Sequence, residues 1–108
     1  MTARAARWNG ETALMIAAGA GSLDAVRQLA KAGADVNVAE PRGGQTALMW
    51  AAAEGHSDVV SGLVAMGANV NAASRAGFTP IVFAVVKDDA PSIKALAGAR
   101  TRLVDVAG

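Results

Sequence analysis

A chain of 108 residues has room for one small domain, and with 53% apolar but only 4% aromatic residues its core must be built from alanine and other aliphatic side chains. Ten basic residues against nine acidic ones exclude a bulk electrostatic field that would recruit nucleic acid or an anionic membrane. The absence of cysteine excludes a disulfide framework and thiolate zinc sites, and no apolar run approaches the ~20 residues of a membrane span.

In chain order, Met1 to Arg7 carries basic residues with no apolar core behind them, so no secretion signal is expected there. Thr12 followed by Ala13-Leu14 is an N-cap signal and predicts a first helix from about Ala13 for two turns. Gly21 ends it, because glycine takes the left-handed conformation that closes a helix without penalty. A second helix follows, with Asp24 in its first turn complementing the positive helix end. Val26 and Leu29, three apart, form its buried stripe, and Gly33 stops it. The same order then returns: Thr46, a helix from Ala47, Gly55, Asp58, the stripe Val60 and Leu63, and Gly67. It returns once more with Thr79, a helix opened by Pro80 at its first position, where the missing N–H is harmless, and the stripe Ile93 and Leu96. In this third unit Asp88 stands where a glycine ended the earlier first helices and is expected to make the turn, with Asp89 capping the next helix. Gly98-Ala99 arrives early, which predicts a last helix two residues shorter than its counterparts. The stretches between units, such as Gly67 to Gly77, are small, polar and turn-rich, as a β-hairpin-like loop requires.

The recurrence is regular. Thr12, Thr46 and Thr79 stand 34 and 33 residues apart, Gly33-Ala34-Asp35-Val36-Asn37 returns as Gly67-Ala68-Asn69-Val70-Asn71, and Ala17-Ala18 returns as Ala51-Ala52. The units run over about 8–41, 42–74 and 75–108 of a single domain, 1–108. The predicted architecture is all-α: six antiparallel helices in three pairs, each pair packing on its neighbours.

These residues resemble the ankyrin repeat, a unit of a turn and two antiparallel helices. The stretch Gly44-Gln45-Thr46-Ala47-Leu48-Met49-Trp50-Ala51-Ala52-Ala53-Glu54-Gly55-His56-Ser57-Asp58-Val59-Val60 carries the resemblance most strongly, and it extends from about Trp8 to Gly108. The expected architecture is therefore an ankyrin-repeat solenoid of three helix–turn–helix units. The family usually opens its first helix with Thr-Pro-Leu-His. Here Met15, Met49 and Val82 replace that histidine, so apolar packing is expected in place of its polar network. One extra residue sits near Glu40-Pro41. The spacing at both ends is that expected of a piece of a longer array.

Catalytic and metal chemistry find little support. His56 is the only histidine, stands beside Gly55, and is read as a structural turn residue without further ligands nearby. No serine or threonine has a histidine at a familiar spacing, and no phosphate loop follows a strand. No catalytic residue, cofactor or metal is assigned, and the chain is not expected to be an enzyme. Met15 and Met49 are read as packing, and Ile16, Trp50 and Phe83, one position on, as core.

The loops read differently. Trp8, Arg42 and Arg75 share a hairpin-tip position four residues before each threonine, and Glu11, Gln45 and Phe78 directly precede the threonines. Such positions seldom support a fold, and tryptophan and arginine are enriched where interfaces hold their energy. The resemblance implies binding through these tips and the concave face of the first helices. That adds Gly19 and Ala20, Ala53 and Glu54, and Val86 and Lys87. The expected partner-binding set is Trp8, Glu11, Arg42, Gln45, Glu54, Arg75, Phe78 and Lys87. The expected function is a protein–protein interaction module for a protein partner, with neither nucleic acid nor membrane as ligand. The alternative is a structural spacer of a longer array that forms a weak homodimer through an exposed stack end. The compartment is left open, with the cytoplasm favoured over the periplasm or secretion.

Overall fold

The structure is a computed structural model that describes residues 13–107. Six helices follow one another among the described residues, with no strand between them: α1 (13–20), α2 (Leu23–Lys31), α3 (Ala47–Ala53), α4 (Ser57–Ala65), α5 (Pro80–Lys87) and α6 (Ala90–Ala107). Helices α3 and α4 pack on each other, as do α5 and α6, and neighbouring pairs meet through α3 against α5, α2 against α4 and α4 against α6. The stack of helix pairs predicted from the period is the one observed.

Local chemistry sets the helix limits. The Thr46 hydroxyl accepts the Met49 N–H at 3.4 Å, and the Ser22 hydroxyl accepts that of Ala25 at the same distance. Each bond satisfies a helix-start donor that has no partner inside its helix. Thr79 holds the matching place before α5 without a side-chain cap, and Pro80 at the first position removes one of the donors to be satisfied. Gly21 and Gly55 turn the chain between paired helices at φ 80° and 73°. Asp88 makes the third such turn at φ 61°, as expected, and is the only non-glycine residue with positive φ among the described residues. After it, Asp89 accepts from the Ser92 hydroxyl, and its backbone carbonyl accepts from Ile93.

One expectation fails. The last helix is not shortened at Gly98: α6 continues to Ala107 and is 18 residues long, against 9 for α2 and for α4. At Gly33 and Gly67 the chain swings into the left-handed region (φ 106° and 94°) and leaves the helix, whereas Gly98 has no positive φ. The residues after Gly98, Ala-Arg-Thr-Arg-Leu-Val-Asp-Val, hold neither glycine nor proline. A lone glycine costs a helix only about 1 kcal/mol relative to alanine, which a further two turns of backbone bonding override.

The core is aliphatic and continuous through the stack. Leu14, Ala18, Val26, Leu48, Met49, Ala52, Val59, Val60, Leu63, Ala84 and Leu96 are all buried. Met15 and Met49 are core residues, so apolar packing replaces the family's opening histidine in the first two units, whereas Val82 in the third is only half-buried. Leu63 and Leu96 lie on the predicted stripes with no exposed surface.

The loops carry hairpin-type hydrogen bonds without becoming strands. Glu40 N–H donates to the Gln45 carbonyl and Gly44 N–H to the Glu40 carbonyl, both at 2.9 Å. Ser74, Phe78 and Gly77 repeat the pattern one residue tighter. The extra residue foreseen near Glu40-Pro41 therefore lies inside the first tip.

Candidate functional site

The expected binding residues within the described part of the chain fall at three places: the loop tips, a groove between α1 and α3, and the last helix pair. Trp8 and Glu11 lie outside the described residues.

The first place is the pair of loop tips. The Glu40 carboxylate organises the first tip, accepting the backbone N–H groups of Arg42 at 2.9 Å, Gly43 at 2.5 Å and Gln45 at 3.2 Å. Those donors, that of Gln45 foremost, hold the Glu40 carboxyl below its ordinary value of 4.5 against the opposing effect of partial desolvation. The second tip is fixed to the first, because Arg75 N–H donates to the Gly43 carbonyl at 2.9 Å. Gly44, at φ 68°, lies so close that an added Cβ would come within 3.1 Å of the Arg75 nitrogen. Both arginines are exposed, so two guanidinium groups project from one rigid edge.

The second place is a groove of about 400 Å³ between α1 and α3, lined by Ile16, Gly19, Gln45, Trp50, Ala53 and Glu54. Trp50 leans on the bare backbone of Gly19, where an added Cβ would meet its ring at 3.2 Å. The reading of Ile16 as core is overturned: it is 59% exposed on the groove wall. Residue 16 lies off the face formed by Leu14, Ala17 and Ala18, so the helical period itself held that signal. Trp50 and Phe83 are half-buried, each packed against the core. The Trp50 indole N–H is buried without a hydrogen-bond partner among the described residues.

The third place belongs to the last pair. Phe78 is 49% exposed and meets Phe83 edge-on, ring centres 6.2 Å apart. Val86, next to Lys87, is 81% exposed. The Lys87 stem runs along Gly55, with Cγ and Cε each 3.3 Å from where a Cβ would stand. Lys87 thus sits beside Glu54, and the two make no ion pair among the described residues.

The remaining surface offers less. A larger concavity of about 720 Å³ lies along α2 and the loop after it, with Asp24, Arg27, Lys31 and Asp35 in its lining, but it touches none of the first helices. No group of three or more metal-ligating side chains occurs among the described residues, and no described helix is long and apolar enough to cross a membrane.

His56 has a structural place that the sequence did not specify. Its ring packs over Gly21, and its Nε2 lies 3.0 Å from the Gly19 carbonyl oxygen of the preceding unit.

A family model for ankyrin repeats (3 copies) matches residues 2–74 and 39–105. No curated protein matches the chain.

Proposed function

Because the chain belongs to the ankyrin-repeat family, whose members are in general protein–protein interaction modules, we propose that it binds a partner protein through its loop tips and first-helix face. The residues are Arg42 and Arg75 at the tips, Gln45 and Glu54 in the groove, and Phe78 and Lys87 on the last pair, continued by Trp8 and Glu11. The observation that carries this reading is the groove between α1 and α3, which leaves Ile16 59% exposed beside a half-buried Trp50. A rigid scaffold that exposes aromatic, aliphatic and guanidinium groups together meets the requirements of an interface centre. The role is binding and not catalysis, and it calls for no cofactor.

Selection of peptide binders from a displayed library against the folded chain tests this. Binding should fall with Arg42→Ala, Arg75→Ala, Gln45→Ala or Phe78→Ala while the fold is retained. Binders that ignore all four changes and respond instead to Ser61→Arg on α4 would place the interface on the opposite side.

A second reading rests on one comparison. Ala52 of α3 has no exposed surface, while Val85, at the same place in α5, is 57% exposed. The flank that the last pair covers on α3 is open on α5, and a second copy docking there would give the weak homodimer. Sedimentation at rising concentration checks it: Val85→Glu should abolish self-association, and a monomer at every concentration removes the reading.

A further inference from the structure

We infer that the groove between α1 and α3 is a pocket for one arginine or lysine side chain of the partner, with the aliphatic stem on Trp50, Ile16 and Ala53 and the cation at Glu54. The inference deepens the proposed binding role and rests on the first-helix face being the face that binds.

The chemistry of the lining selects this occupant. The groove walls are apolar where they meet the core, formed by the Ile16 side chain, the Trp50 ring and the Ala53 methyl. The ionisable group on the lining is Glu54, and no lysine, arginine or histidine lines the groove among the described residues. Glu54 is exposed and its carboxylate makes no hydrogen bond or ion pair among the described residues, although Lys87 runs nearby along Gly55. Gln45 adds an amide oxygen, with its own backbone already engaged by Glu40. An apolar trough ending in an unpaired carboxylate matches a side chain with an apolar stem and a cationic head. Indole is the best aromatic surface for such a cation, and Gly19 holds the Trp50 ring in place from below. An acidic side chain is refused by Glu54, and a purely aliphatic one fills the trough but gives the carboxylate no partner.

Three tripeptide amides test the inference: acetyl-Gly-Arg-Gly, and the same peptide with norleucine or with glutamate in the middle. Each is titrated into the full chain and followed by NMR. The indole N–H of Trp50 is told apart from that of Trp8 with Trp8→Phe. The arginine peptide should shift the Trp50 indole and the Ala53 and Glu54 amides saturably, and the glutamate peptide should leave them unmoved. Glu54→Gln should weaken the arginine peptide about threefold to fivefold and leave the norleucine peptide unchanged, as expected of a partly solvated ion pair with a cation–π contribution. Equal affinity for arginine and norleucine, or indifference to Glu54→Gln, would overturn the cationic assignment. Library-selected binders that still require Gln45 and Phe78 would then leave the binding face standing without its basic anchor. Loss of both results would remove the face itself.

Discussion

The Nε2 of His56 lies 3.0 Å from the carbonyl oxygen of Gly19, 37 residues earlier, so one imidazole fastens the start of α4 to the end of α1. Bonding to a carbonyl requires that this nitrogen carry the proton. The same ring fills the space over Gly21, where a Cβ would come within 2.7 Å of it. Removing the ring by His56→Ala should cost about 1–2 kcal/mol, the range for a partly buried hydrogen bond with its packing. Gly21→Ala should cost about 1–3 kcal/mol, from both the collision and the left-handed backbone. The two effects are coupled: in the His56→Ala background, Gly21→Ala should cost less, because the collision is gone. A double-mutant cycle by denaturant unfolding measures this, and strictly additive losses would contradict the packing.

The burial of Leu63 and Leu96 gives a second prediction. Both side chains are wholly inside the stack, so truncation to alanine at either site should cost about 2–5 kcal/mol. A short, wet last helix would have made Leu96→Ala the milder change. The length of α6 removes that reason, and the two denaturation midpoints should fall by similar amounts.

Glycine substitutions separate two kinds of helix end. Gly98 sits inside α6 with open space around a prospective Cβ and without positive φ. Gly98→Ala should stabilise the chain by about 0.5–1 kcal/mol. Gly67 also has open space, but φ is 94°. Gly67→Ala should therefore destabilise by about 1 kcal/mol through backbone strain alone. Thermal melts of the two variants should move in opposite directions.

Glu40 gives a pH prediction. Its folded-state carboxyl is held below the ordinary 4.5 by backbone donors, led by Gln45. A depressed carboxylate contributes its stability above the unfolded-state value and loses it as pH falls through the folded-state value. The tip should therefore loosen progressively as pH drops below about 4.5. Glu40→Gln should flatten that part of the stability profile while lowering the neutral-pH melting temperature slightly. Hydrogen exchange at the Arg42 and Gly43 amides follows the tip directly, and exchange rates in Glu40→Gln equal to those of the wild type would refute the role given to this carboxylate.

The helix pairs were legible in the sequence because their signals are local. Thr46 before Ala47-Leu48, Gly55 and Gly67 at the turns, and stripes such as Val60 and Leu63 each act through the nearest one or two helical turns. The period repeats that logic twice more. Asp88 was legible for the same reason, since a turn constrains its own backbone whatever packs around it. Gly98 misled because a glycine signals permission to leave the helix and not an instruction to do so. The outcome depends on whether the following residues have anything better than a helix to join.

The proposed binding side was legible in part. Arg42, Arg75 and Phe78 stand at loop positions that a repeat pattern marks as unneeded for packing. Tertiary structure alone decided the rest. Residue type placed Ile16 in the core, whereas the register of α1 turns it outward. Glu54 and Trp50 are four residues apart, but Ile16 and Gly19 reach the same groove only because α1 lies alongside α3. The bond from His56 to Gly19 likewise exists only once two units are stacked. Sequence period determines what each unit is, through contacts within a few residues. The groove, its unpaired carboxylate and the clasp between units come from contacts across more than thirty residues, which only packed neighbours can bring within bonding distance.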